Sequence, residues 1–101
     1  MRRMVVRYKT KPEKAQENER LIESVFEELR IKSPDGVSYL ALRLADGSFV
    51  HFVATEGAGD ANPLRELASF RSFQSGVRER CLEAPQADDA IIVGDYRMLG
   101  E

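Results

Sequence analysis

The sequence predicts an α+β domain with elements in the order β-α-β-β-α-β. Three observations predict it. Alternating apolar segments at 3–9, 37–44, 49–54 and 90–98 read as strands. Two stretches, 15–29 and 64–81, repeat apolar residues at helical spacing. Asp46-Gly47 sits between the second and third strands, a dipeptide that favours tight hairpins. That order gives a split β-α-β arrangement of ferredoxin-like type, a four-stranded antiparallel sheet with both helices on one face. The 101 residues fit one domain, 1–101, without linker, repeat or low-complexity stretch.

In the first strand Met4, Val6 and Tyr8 alternate with Val5, Arg7 and Lys9. The helix after it starts near Pro12. Thr10 with Glu13 matches a capping box, and Lys11 before Pro12 is the competing cap. Ala15, Ile22, Val25, Phe26 and Leu29 form the apolar stripe of that helix, and Ser33-Pro34-Asp35-Gly36 stops it.

Strands 37–44 and 49–54 form the hairpin. A two-residue Asp46-Gly47 turn predicts that Leu44 opposes Phe49, Leu42 opposes His51 and Leu40 opposes Val53. One face then carries Leu40, Leu42, Leu44, Phe49, His51 and Val53. The other carries Tyr39, Ala41, Val50, Phe52 and Ala54. Both faces are apolar, whereas a sheet with one wet face alternates apolar and polar residues. Two helices cover one face, so the other face predicts a second copy of the chain.

Asn62-Pro63 is a helix entry. Leu64, Leu67, Phe70, Phe73, Val77 and Cys81 continue at helical spacing, weakened at Ser69 and Gly76, with a stop at Ala84-Pro85. The last strand is expected over Ala90 to Met98.

Composition excludes several classes. Hydrophobic residues make up 43% and charged residues 32%, which is globular rather than disordered. Net charge is −2 with a pI near 5.5, and nucleic-acid binding usually needs a basic face. No apolar run approaches the roughly 20 residues of a membrane span. The start, Met1-Arg2-Arg3-Met4-Val5-Val6-Arg7, has no apolar core segment and is not read as a signal peptide, so the cytoplasm is the expected location. Cys81 is the single cysteine, which excludes an internal disulfide and cysteine zinc sites.

Asp46-Gly47-Ser48-Phe49-Val50-His51, Asn62-Pro63-Leu64-Arg65-Glu66-Leu67 and the run from Phe70 to Cys81 resemble the dimeric α+β barrel superfamily, in particular antibiotic biosynthesis monooxygenase-like domains. The resemblance covers nearly the whole chain. It implies a homodimer joined through its sheet faces. It also implies oxidation of an aromatic or polyketide-like molecule by O2 without flavin, metal or haem, the deprotonated substrate supplying the electrons. A non-catalytic ligand-binding or structural dimer is the alternative on the same fold. Pocket tryptophans typical of such relatives have no counterpart, since the chain has none.

His51, the only histidine, is the first candidate catalytic residue because its pKa can lie near neutrality. Asn62 and Arg71 are further polar candidates, Asn62 doubling as a helix cap. Tyr39, Phe52, Phe70, Phe73 and Tyr96 can line an aromatic pocket or simply fill a core. Arg97 reads as a surface or pairing charge, and Cys81 as a small buried apolar residue. Gly57-Ala58-Gly59 is a flexible loop rather than a phosphate cradle. One histidine and scattered acids give no metal-ligand spacing, and a strand histidine disfavours haem ligation. No cofactor is expected.

Overall fold

The computed structural model describes residues 1–56 and 62–99. The strands are β1 (Arg2–Thr10), β2 (Val37–Arg43), β3 (Ser48–Thr55) and β4 (Cys81–Asp89). The helices are α1 (Ala15–Lys32), α2 (Ala68–Ser75) and the single turn α3 (Val77–Arg80). The sheet runs β2-β3-β1-β4, every neighbouring pair antiparallel. This is the predicted α+β fold. Gly57-Ala58-Gly59 lies outside the described residues.

Of the two caps for the first helix, Lys11 is the one used. It is extended, and Pro12–Lys14 form a 3-10 turn that leads into α1, since proline's fixed φ suits the first helical position. Thr10 stays in the strand. Ser33 closes α1 in the left-handed region (φ 44°), its N–H donating to the Leu29 carbonyl at 2.7 Å.

The hairpin register is one residue away from the prediction. Arg43 pairs with Phe49, Leu42 with Val50, Ala41 with His51, Leu40 with Phe52 and Tyr39 with Val53. The turn has three residues, not two. Gly47 N–H donates to the Leu44 carbonyl at 3.1 Å, and Leu44 N–H to the Ser48 carbonyl at 2.8 Å. Only Gly47 takes positive φ (+87°), which makes a type I turn closed by a glycine bulge. The Asp46 carboxylate accepts the Ser48 N–H at 2.9 Å and holds this form.

The shift reassigns the faces. Tyr39, Ala41, Phe49, His51 and Val53 share one face with Val6 and Tyr8 of β1. Ile22 and Val25 of α1, Leu64, Leu67, and Phe70 and Phe73 of α2 pack on that face as one core. Leu40, Leu42, Val50 and Phe52 share the other face with Val5. There Leu40, Leu42 and Phe52 are 48%, 41% and 41% exposed. The sheet is therefore apolar on both sides, with different residues on each side than the two-residue turn gave.

The segment read as one helix over 64–81 is broken. Asn62 caps a 3-10 turn, Pro63–Glu66, by accepting the Leu64 N–H at 3.0 Å. Leu67 is extended and buried, and α2 begins after it. Gly76 separates α2 from α3.

The last strand is Cys81–Asp89, not Ala90 to Met98, and Ala84-Pro85 lie inside it. Opposite Tyr8, one residue of β1 faces two of β4, because Arg7 pairs with Gln86 and Lys9 with Glu83. Proline is tolerated at such a bulge on an edge strand. Met4 pairs with Asp89 and the Ala90 N–H donates to the Arg3 carbonyl at 2.9 Å. That uses up the start of β1, so residues 91–99 find no strand to pair with among the described residues. Among the described residues no helix is long and apolar enough to cross a membrane.

Candidate functional site

His51 lies mid-strand on the helix-facing side of β3, 3% exposed. Its neighbour on that face of β1 is Val6, with Tyr8 beside it. The Tyr8 hydroxyl lies 2.8 Å from His51 Nε2, and the Tyr39 hydroxyl is hydrogen-bonded to Nδ1. The imidazole is thus held between two phenols. Phe73 tilts against it with ring centres 5.6 Å apart.

The network continues into the helices. Asn18 of α1 is fully buried, and its Nδ2 donates to the Tyr8 oxygen at 2.8 Å. Arg80 of α3, 6% exposed, donates from Nε to Asn18 Oδ1 at 3.0 Å and from Nη2 to the Phe73 carbonyl at 2.8 Å. Its guanidinium also lies 5.3 Å from the Phe73 ring centre. Among the described residues Arg80 forms no ion pair. A buried guanidinium held only by neutral acceptors is unusual, because charge is costly to bury unpaired.

Burial sets the protonation states. His51 is pushed down to about 4 by desolvation, so it is neutral at physiological pH. Burial raises both Tyr8 and Tyr39 well above the usual phenol range, so both keep their protons.

These groups form one end of a cavity of about 100 Å³. Its walls are Val6, Val53, Phe70, Phe73 and Val77, with Gln74 and Pro85 completing the lining. A larger, open groove of about 550 Å³ lies over the β1–β4 bulge, lined by Arg7, Lys9 and Glu83 among others. It mixes both charge signs, and of the buried network only Tyr8 borders it.

No family model matches the chain, and no curated protein matches it. Solved structures do. A candidate antibiotic biosynthesis monooxygenase from Nitrosomonas europaea is 19% identical, with 91% of this chain and 89% of that one covered, at a TM-score of 0.73. Rv0793 from Mycobacterium tuberculosis is 16% identical over 93% and 96%, at 0.75. A candidate antibiotic biosynthesis monooxygenase from Caulobacter crescentus CB15 is 16% identical over 92% and 90%, at 0.67. The chain has the fold of antibiotic biosynthesis monooxygenase-like domains.

In this monooxygenase-like fold the structure gathers His51, Tyr39, Phe70 and Phe73 around the cavity. It places the other sequence candidates elsewhere. The Asn62 oxygen is spent on its helix cap. Arg71 is exposed and donates from Nη1 to the Arg65 carbonyl at 3.0 Å. Phe52 lies on the outer sheet face, and Tyr96 is 77% exposed with Arg97 stacked over its ring.

Sequence reasoning missed Asn18 and Arg80 and treated Tyr8 only as a strand residue. A signal was present. Asn18 falls three residues after Ala15 and four before Ile22, on the apolar stripe of α1. Arg80 falls on the stripe of Phe70, Phe73 and Val77. A polar residue at a core position needs a buried partner, and two such residues on facing helices point to a shared network.

Proposed function

We propose that this chain binds a small, single-ring aromatic molecule in the cavity and oxidises it with O2, without flavin, metal or haem. The observation that carries this reading is an aromatic-walled cavity ending on a buried, uncharged imidazole held by two phenols. Apolar walls with a few convergent polar groups are the usual make-up of a small-molecule site. A closed cavity of about 150 Å³ holds benzene, so this smaller, partly open one of about 100 Å³ takes at most one ring and not a fused polycycle.

In the proposed reaction a methylene attached to the ring, made acidic by conjugation, loses a proton and transfers electrons to O2, and both of its hydrogens end in the water released. The CH2 group becomes C=O, one oxygen atom stays on carbon and the other leaves as water. The four electrons all come from the substrate. An imidazole held near 4 is a poor proton store at neutral pH. His51 therefore acts by hydrogen bonding and transient proton sharing, beside walls that are mostly apolar.

Oxygen uptake tests this, measured with single-ring substrates that carry an acidic methylene beside the ring. Uptake with release of the carbonyl product is expected, reduced about 100-fold in His51→Ala, the scale of a lost acid–base or donor group. Binding without uptake leaves a ligand-binding domain and rejects the oxidation.

We also propose that the working unit is a dimer. The outer sheet face exposes Leu40, Leu42 and Phe52. Beyond β4 the same chain exposes Ile91, Val93, Tyr96, Met98 and Leu99. Two apolar surfaces with no place in their own core are both covered by one identical partner.

A further inference from the structure

We infer that a one-way chain of hydrogen bonds from Arg80 through Asn18 and Tyr8 holds the His51 proton on Nδ1 and leaves the Tyr39 hydroxyl proton for a ligand, so the polar end of the cavity takes an acceptor oxygen, a carbonyl or a phenolate. The ligand half of this inference rests on the proposed cavity reading, whereas the proton arrangement stands on geometry alone.

The direction is set at the arginine. A guanidinium only donates, so the Asn18 oxygen must face Arg80 Nε, 3.0 Å away. The Asn18 amide nitrogen then faces Tyr8 and donates to its oxygen. The Tyr8 proton must go elsewhere, and His51 Nε2 is 2.8 Å away. If Nε2 carried the proton, the Tyr8 hydroxyl would meet two donors and no acceptor. Either tautomer leaves one phenol proton without a protein acceptor, and that costs more at Tyr8, 3% exposed, than at the half-buried Tyr39. Nε2 is therefore the bare nitrogen, and Nδ1–H donates to the Tyr39 oxygen. Among the described residues no acceptor takes the Tyr39 proton. Tyr39 lines the cavity, so that proton is the one still available there. Arg80, Asn18 and Tyr8 act as positioning residues, through His51.

Two-bond nitrogen–proton correlation spectra distinguish the tautomers of His51. In the wild-type protein the proton is expected on Nδ1, and a proton on Nε2 overturns the inference. Asn18→Asp should reverse the chain. Its carboxylate pairs with Arg80 and accepts the Tyr8 hydroxyl, the Tyr8 oxygen accepts Nε2–H, and the Tyr39 proton turns to Nδ1. A merely structural Asn18 would leave the tautomer unchanged on this substitution, and that result also overturns the inference. The wild-type spectrum decides the tautomer whether or not the variant folds.

Binding of acetophenone, which only accepts, and aniline, mainly a donor, reads the ligand half. The acetophenone-to-aniline affinity ratio should fall about fivefold in Asn18→Asp, the worth of one net hydrogen bond. An unchanged ratio overturns the acceptor preference. Protonated Nδ1 with no acetophenone binding to wild type rejects the cavity reading and the ligand half, and keeps the proton arrangement. Binding with protonated Nε2 keeps the cavity reading and rejects the inference.

Discussion

At the scale of single residues, the buried imidazole of His51 ties the site to folding. Its pKa in the folded chain is about 4 against an ordinary 6.5, lowered by burial. The groups facing it are the Tyr8 and Tyr39 hydroxyls, both neutral, with the Arg80 cation one step behind Asn18. Between pH 4 and 6.5 the unfolded chain binds a proton at this histidine that the folded chain does not. Stability therefore rises with pH across that window. The contribution is fully present above 6.5 and is lost as pH falls towards 4. The shift corresponds to on the order of 3 kcal/mol. Urea unfolding at pH 7 and pH 4.5 should show most of this loss, and the His51 ring should titrate near 4 by NMR. A midpoint near 6.5 would mean the ring meets water. Glu28 acts in a lower window. Hydrogen bonds from Lys32 first and Ser69 second hold it down to about 2, so its share is lost between 4.5 and 2.

At the scale of elements, the hairpin turn and the helix junctions place these residues. Glu28 near the end of α1 accepts both the N–H and the hydroxyl of Ser69, at 2.9 and 2.6 Å, fixing the first turn of α2 against α1. Gly47 sets the register that turns His51 towards the helices. A Cβ there would meet nothing within 4 Å, so Gly47→Ala carries only the strain of φ +87°. It should cost about 1–2 kcal/mol, read by urea unfolding, with Gly47→Asn costing less because asparagine tolerates this region. A neutral Gly47→Ala would contradict the three-residue turn.

The elements also show what the sequence made legible. Periodicity found β1, α1, β2 and β3, since each has an apolar face to bury. Asp46-Gly47 located the hairpin but not its register, because a two-residue turn and a three-residue turn with a glycine bulge share that dipeptide. The choice lies in the Asp46 bond to the Ser48 N–H. β4 was hidden because Glu83, Ala84, Pro85, Asp88 and Asp89 are poor strand formers. Pairing along β1 outweighs that propensity. Ile91, Ile92 and Val93 look more like a strand and pair with none among the described residues. At the site, His51, Tyr39, Phe70 and Phe73 were legible as residue types. Their gathering was not, because Asn18 and Arg80 join it from helices distant in sequence.

At the scale of the whole molecule, the proposed dimer rests on large apolar side chains that one chain leaves in water on two surfaces. Leu40, Leu42 and Phe52 form a patch on the outer sheet face, and residues 91–99 carry a second set of exposed apolar side chains. Such patches mark interaction surfaces. Light scattering at micromolar concentration should give twice the chain mass, and Leu40→Asp with Phe52→Asp should give a monomer. A wild-type monomer would contradict the dimer. The cavity opposite that face carries the functional claim, and a crystal structure with acetophenone soaked in tests it most directly. The account predicts the ring packed against Phe70 and Phe73 in the cavity, with its carbonyl oxygen within hydrogen-bond distance of the Tyr39 hydroxyl. An empty cavity, with the ligand absent or bound only at the outer sheet face, would contradict it.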